Sequence, residues 1–380
     1  MIPVQRPYLG QEELEAVGKV FDTRWLGMGS ATKEFEDKLR EFLGVKHVIA
    51  VNTGTSALHM ALDALGLQPG DEVIVPSLTF VASVQAIVAV GARPVFCEVY
   101  NDTLNMDIQD ALGRVTPRTK AIMPVHYGGL ACEMDNLLSF AHERKIWIVE
   151  DAAHAFGSTC KGRKVGTLGD ATCFSFDPIK NITCGEGGML VSDDPGLLER
   201  LKRLKFHGLG VDAYDRDTQG RAPQAEVIEP GYKYNLTDFA AVLGLGQLAR
   251  LEGFIARRAA LAGLYRELLA GIDEITPLAL PAWPQRHAWH LFIVRLEVER
   301  AGLSRDEFMA RLKARNIGTG LHFKAVHLQK YYRESLALTP GALPATEWNS
   351  ERILSLPLFP AMTDAEVVEV VAAIKEVLTA

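Results

Sequence analysis

Cysteine is scarce in this chain, and its placement says as much as its number. Cys97, Cys132, Cys160, Cys173 and Cys184 are an odd five among 380 residues, scattered and without a C-x-x-C pair. That pattern excludes a disulfide framework and a zinc site built on paired thiolates, so no metal is expected, and it fits a reducing cytoplasm. Long apolar runs are also lacking: none approaches the roughly 20 residues of a membrane helix. The opening Met1-Ile2-Pro3-Val4-Gln5-Arg6 does not have the form of a signal peptide. Basic charge is short as well. The formal net charge is −7 with no dense Lys/Arg block, which argues against nucleic acid as a partner. The expectation is a cytoplasmic protein without membrane insertion.

What is present is the composition of a globular enzyme, 48% hydrophobic and 23% charged, in a chain long enough for two domains. From Val48 the pattern alternates. Strands are expected over 48–51, 72–75, 93–97, 121–125 and 146–149, and helices over 57–65, 79–90 and 134–143. The strands are apolar on both faces, which indicates an α/β architecture with a mostly parallel sheet between helices. Ligands of such sheets gather at the carboxyl ends of the strands. Residues 52–56, 76–80, 126–129 and 150–154 follow those ends and should face one cleft. A long helix beginning near Asp238, with Phe239, Val242, Leu243, Leu248, Leu251 and Ile255 at helical spacing, is expected to bridge to a smaller domain. That domain should contain a strand over 289–296, a helix over 305–315 and a closing helix over 364–377 that starts in a capping box at Thr363. The division expected is a large domain over 1–245, with an N-terminal arm over 1–30, and a small C-terminal α/β domain over 246–380.

Residues 171–190 organise the rest. Two apolar runs, 171–176 and 188–191, read as neighbouring strands, and the glycine-rich turn between them carries one amine, Lys180. Pro178 pins the backbone before it, and Gly185, Gly187 and Gly188 let the chain close tightly around it. A lysine buried in such a turn falls below the free pKa of about 10.4 and can form a Schiff base; a solvated surface lysine answers the same stretch equally well. Asn52-Thr53-Gly54-Thr55-Ser56 places backbone N–H groups and the Thr55 and Ser56 hydroxyls at a helix N-terminus. That is a phosphate seat, or an ordinary cap. Asp151 directly after a buried strand needs a cation or strong donors, which a salt bridge supplies as well as a ligand does. Asp151 and His154 have no third metal ligand nearby. Pyridoxal phosphate requires such a set: an amine, a carboxylate for its pyridine nitrogen, a helix end for its phosphate and an aromatic, here Phe80, against its ring. On that reading His154 bonds the ring hydroxyl and Ser175 adds a phosphate contact.

Ser175-Phe176 with Lys180 and Gly185-Glu186-Gly187-Gly188, preceded by Glu150-Asp151-Ala152-Ala153-His154, resembles the DegT-type sugar-nucleotide aminotransferases. The resemblance runs from about Arg6 to the C-terminus. It implies the pyridoxal-phosphate fold type I, with Lys180 holding the cofactor as the catalytic lysine and Asp151 paired with its ring nitrogen. Phe80 stacks on the ring, His154 lies near the ring oxygen, and Gly54, Thr55, Ser56 and Ser175 surround the phosphate. It also implies a homodimer with shared sites, in which Asn235 of Gly231-Tyr232-Lys233-Tyr234-Asn235-Leu236-Thr237-Asp238 reaches the neighbouring subunit's phosphate.

Within that family, residues 205–216, 220–227, 288–292, 317–323, 329–334 and 347–352 resemble members that take the amino group of L-glutamate, releasing 2-oxoglutarate, to make UDP-4-amino-4-deoxy-L-arabinose from a UDP-4-keto-pentose. Three places depart from those members: Gly54-Thr55-Ser56-Ala57, Phe80 where they carry Trp, and Gly27-Met28 in the arm. The alternative acceptor is a 4-keto- or 3-keto-hexose on UDP or dTDP. Charge and loop position nominate Arg221, His322 and Lys324 as contacts for the nucleotide diphosphate, and the N-terminal arm nominates Trp25 as a substrate contact. A pyridoxal-dependent dehydratase is disfavoured by Lys180, because such relatives carry His there. A non-catalytic cofactor-binding regulator finds no helix-turn-helix or basic patch to support it.

Overall fold

The computed structural model describes residues 1–209 and 226–379. Its centre is a seven-stranded sheet of β1 (Val48–Val51), β2 (Glu72–Pro76), β3 (Arg93–Cys97), β4 (Thr119–Ile122), β5 (Trp147–Asp151), β8 (Ala171–Ser175) and β9 (Gly188–Val191), in the order β1-β9-β8-β5-β4-β2-β3. β6 (Thr159–Cys160) and β7 (Arg163–Lys164) lie outside it, in a small sheet with β11 (Gln285–Arg286). The pairings β3/β2, β2/β4, β4/β5 and β5/β8 are parallel, and only β9 runs against its neighbours β8 and β1.

Side-chain alternation explains why helices cover both faces. Val73, Val75, Ala121, Val149, Cys173 and Leu190 point into one core with helices Gly54–Ala64, Val81–Ala89 and Pro195–Lys205. Their strand neighbours Ile74, Ile122 and Ile148 point into a second core beneath helix Asp135–Arg144, and Phe174, Met189 and Val191 into a third, with Ser30–Leu43 and the start of Asp238–Leu269. Positions on both faces of these strands are buried, so the runs are largely apolar, with Glu150 of β5 and Thr172 of β8 among the buried polar exceptions and bonded to each other.

Helix Asp238–Leu269 is 32 residues long and joins two cores. Ala241, Leu251, Phe254 and Ile255 pack in the large-sheet unit, whereas Leu261, Ala262, Tyr265 and Leu269 pack beneath the antiparallel sheet of β10 (Ile275–Pro277), β12 (Phe292–Leu296) and β13 (Ile353–Leu356). By length and composition this helix is long and apolar enough to cross a bilayer, unlike the shorter apolar runs expected from the sequence. It carries Arg250, Glu252, Arg257, Arg258 and Arg266 along its length. Its inward face also differs from the expected stripe: Phe239 is exposed and Val242, Leu243 and Leu248 are half-buried, while Gln247 and Arg258 are buried. Arg258 Nη1 donates there to the carbonyls of Trp289, His290 and Leu358, while its Nε is buried without a hydrogen-bond partner. The chain start belongs to the C-terminal unit, since Ile2 bridges to Ile317 and packs in that core.

Several boundaries differ from expectation for local reasons. The helix expected from 57 begins at Gly54, and Thr53, rather than Thr55 or Ser56, is its cap: its hydroxyl accepts from the Ser56 N–H at 3.0 Å. The strand expected over 146–149 runs on to Asp151, paired with Cys173 of β8. The strand expected from 289 starts at Phe292, after Trp289 takes a positive φ of 49° that no strand accommodates. The expected capping box closes the N-terminus of the last helix, Asp364–Thr379, with Thr363 and Glu366 bonded reciprocally.

Candidate active site

A cavity of about 430 Å³ opens at the carboxyl end of the parallel strands. Of the segments expected there, the end of β1 contributes Thr53, Gly54 and Thr55, the end of β2 contributes Thr79 and Phe80, and the end of β5 contributes Asp151 and His154. Ser175 and Lys180 complete the wall from β8 and the following turn, and His290, His322 and Phe323 come from the C-terminal unit. Residues 126–129 do not face the cavity. His126 is buried behind the sheet, its Nε2 2.7 Å from Glu150, which points away from Asp151 because adjacent strand residues alternate. The Cys132 N–H donates to His126 Nδ1, so His126 carries its proton on Nε2 and donates to Glu150. What reaches the site from this segment is the Gly128 N–H, which donates to His154 Nδ1 at 3.3 Å and so leaves the ring proton on Nε2.

The helix start is tightly seated. A Cβ at Gly54 would lie 2.8 Å from Ser175 Cβ, and one at Gly188 would lie 2.4 Å from the Thr53 carbonyl oxygen. Only glycine lets the first turn of the helix approach the end of β8, and the N–H groups of Gly54 and Thr55 at that turn have no intrahelical partner. Ser56 is turned aside, because its hydroxyl bonds Asn52 Oδ1 at 2.7 Å and Thr53 Oγ1 at 2.8 Å. The Asp151 carboxylate accepts from Ser83 Oγ at 2.6 Å and from the Ala153 N–H at 3.1 Å.

Burial lowers the Lys180 pKa, against the opposing pull of Asp177 and Asp151. Lys180 is the single Lys or Arg among the described residues lining the cavity. Burial, aided by the Lys180 charge, holds His154 and His290 well below their ordinary value and His322 down to about 4. These three rings are therefore neutral at pH 7. Phe80 is 55% exposed, its ring 5.6 Å from Phe323, which in turn stacks on His154 at 5.8 Å.

Other nominated residues lie elsewhere. Trp25 is exposed and donates from Nε1 to the Met28 carbonyl, and Lys324 is exposed outside the cavity lining. Asn235 sits beside Val51, its Oδ1 accepting from Lys233 Nζ at 2.6 Å, and does not line this chain's own cavity. Arg221 lies outside the described residues. Thr53, Thr79, Ser83, Asp177, Glu186, His290 and Phe323 were not foreseen. Thr53 and Thr79 stood in the segments named from the strand ends, whereas His290 and Phe323 come from a distant part of the chain and stood only within the resembling stretches 288–292 and 317–323, with nothing local to aim them at the cavity.

The fit of this cavity to pyridoxal phosphate rests on its donor set: a buried amine, a doubly anchored carboxylate, and a helix N-terminus pressed against a strand-end serine. Comparison with known proteins agrees. Residues 7–375 match the DegT/DnrJ/EryC1/StrS aminotransferase family. The aminotransferase TlmJ of Streptoalloteichus hindustanus is 37% identical with a TM-score of 0.89, over 100% of this chain and 99% of that one. The protein Spr1654 of Streptococcus pneumoniae in its PMP form is 31% identical with a TM-score of 0.92, over 100% and 99%, and is also solved in a PLP form. PseC of Helicobacter pylori, an aminotransferase of pseudoaminic acid biosynthesis, is 26% identical with a TM-score of 0.91, over 100% and 99%. With its fold, its cavity and its near full-length match in accord, the chain belongs to the DegT/DnrJ/EryC1/StrS aminotransferase family and is a pyridoxal-phosphate-dependent sugar aminotransferase.

Proposed function

We propose that this enzyme moves the amino group of L-glutamate to the 4-keto carbon of a UDP-4-keto-pentose, giving UDP-4-amino-4-deoxy-L-arabinose for lipid A modification and polymyxin resistance. The observation that carries the transamination is the convergence of Lys180 and Asp151 on one cavity beside the helix start at Gly54 and Thr55. Bound pyridoxal phosphate supplies an electron-withdrawing ring and the carbon that carries the amino group between donor and acceptor. Lys180 holds it covalently at rest. Once the amine of glutamate displaces Lys180, its Nζ, kept more neutral by burial, would pass the Cα proton to the cofactor carbon in the first half-reaction and pass a proton from that carbon to the sugar C4 in the second. Asp151 keeps the ring nitrogen protonated, and the Gly54 and Thr55 N–H groups with the Thr55 and Ser175 hydroxyls hold the phosphate. Phe80 covers the ring face, and His154 offers its Nε2–H to the ring oxygen. Asn235, outside its own chain's cavity, serves the phosphate of a second copy, which makes the working unit a homodimer.

Support for the pentose comes from where the resembling stretches lie. Residues 317–323 bring His322 and Phe323 to the cavity wall, and residues 347–352 brace the same loop. Ser350 Oγ accepts the Ala325 N–H at 2.9 Å, and Glu347 lies 3.0 Å from His327 Nε2. Trp25, Arg221, His322 and Lys324 are the sugar-nucleotide contacts on this reading. The departures at Phe80 and at Gly27-Met28 favour the second reading, a 4-keto- or 3-keto-hexose on UDP or dTDP.

The test is an absorbance series on the purified enzyme. L-glutamate should collapse the visible band of the bound cofactor, and UDP-4-keto-pentose should restore it. Collapse without restoration, followed by restoration with a keto-hexose nucleotide, replaces the pentose with the hexose. Full turnover by Arg221→Ala would remove that residue from the nucleotide site.

A further inference from the structure

Ser83 is buried on helix Val81–Ala89, one turn from Phe80, and its hydroxyl has three neighbours. Asp151 Oδ2 is at 2.6 Å, Thr79 Oγ1 at 2.8 Å and the Phe80 carbonyl at 3.2 Å. One hydroxyl carries one proton. The charged acceptor at the shortest distance takes it, since O–H···O⁻ bonds are the short and strong class, about 2.5–2.7 Å. Ser83 Oγ is then an acceptor toward Thr79, whose own proton completes a directed chain from Thr79 to Ser83 to Asp151. Thr79 is itself buried and lines the cavity.

We infer that Ser83, oriented by Thr79, is a positioning residue that fixes the plane of the Asp151 carboxylate toward the cofactor ring. The inference rests on the assignment of Asp151 to the ring nitrogen. A carboxylate offers about four lone-pair sites. Ser83 occupies one on Oδ2 and the Ala153 N–H one on Oδ1, so rotation about the Cβ–carboxylate bond breaks both bonds at once. The remaining lone pairs belong to the cavity that Asp151 lines. The fold itself has little use for this hydroxyl: the helix it sits on has no side-chain cap bond, and alanine would fill the same buried position in an apolar helix. The hydroxyl therefore serves the carboxylate, which a binding site gains from by preorganisation.

The experiment compares wild type with Ser83→Ala, Ser83→Thr, Thr79→Val and Asp151→Asn, reading cofactor Kd by titration, the position of the visible band of the loaded enzyme, and the unfolding temperature of the cofactor-free protein. Ser83→Ala should leave that temperature near wild type, weaken the cofactor about tenfold and move the band. Ser83→Thr should restore both, and Thr79→Val should change them in the same direction by less. An unchanged band and Kd in Ser83→Ala, beside an altered Asp151→Asn, overturns the positioning role alone. If Asp151→Asn also matches wild type, the assignment of Asp151 to the ring fails and the positioning role falls with it. A Ser83→Ala defect that Ser83→Thr does not rescue assigns the effect to packing and overturns the inference.

Discussion

Replacing Gly54 with alanine sets two magnitudes of opposite sign against each other. Glycine to alanine at a compatible helix position usually stabilises by about 0.4–1 kcal/mol, through the unfolded chain. Here the new Cβ lies 2.8 Å from Ser175 Cβ and 3.2 Å from Ser175 Oγ. Carbon atoms rest at about 3.5–4.0 Å, so the contact is short by roughly 0.7–1.2 Å. Ser175 has little room to yield, because it pairs with Gly188 of β9 and its strand is held by β5 up to Cys173. Nor can the chain before Gly54 retreat, since the Thr53 carbonyl is packed on Gly188. The helix start must therefore shift toward the cavity. Overpacking of this kind costs about 1–3 kcal/mol, which exceeds the helical gain and leaves a net loss of about 1–2 kcal/mol. The larger consequence falls on the ligand. Hydrogen bonds to a charged group contribute about 1.5–3 kcal/mol each, and every 1.4 kcal/mol is tenfold in Kd. Losing one or two N–H contacts to the cofactor phosphate should weaken binding by roughly 10- to 20,000-fold. The assay is cofactor titration by the visible band, beside thermal unfolding of the cofactor-free protein. Wild-type affinity in Gly54→Ala would refute the claim that the phosphate is held at this helix start.

Two further outcomes follow from named contacts. Asp238, 5% exposed, accepts from the N–H groups of Gly29 and Thr32 and from the Thr32 hydroxyl, all within 2.9 Å. Asp238→Ala strands these donors and should lower stability by about 3 kcal/mol, read as a shift in the urea midpoint; Asp238→Asn should lose less. Acid should destabilise the fold through the cavity histidines. His322 is depressed from 6.5 to about 4, so between those values the unfolded chain binds the proton and the folded chain does not. Stability present above pH 6.5 is lost as the pH falls toward 4, and His322→Gln should flatten that part of the urea-midpoint profile.

The sequence alone was enough for the architecture and for bringing most of the nominated cofactor residues to one cavity, because both are written in short local patterns. Strands β1, β3 and β9 have the expected limits, since their apolar runs are buried on both faces and give way to polar residues at Asn52, Glu98 and Ser192. Lys180, Asp151, Thr55, Phe80, His154 and Ser175 meet in one cavity because each stands at or just past a strand end, and parallel strands bring those ends to one edge. Tertiary structure decided what local pattern does not encode. Alternation within β5 turned Glu150 to the buried His126 and Asp151 to the cavity, although the two are adjacent. His290 and Phe323 entered the site from more than 100 residues beyond Lys180, and Ser83 met Asp151 across 68 residues of chain. Contacts of that kind depend on how one unit packs against another, and no window of sequence contains both partners.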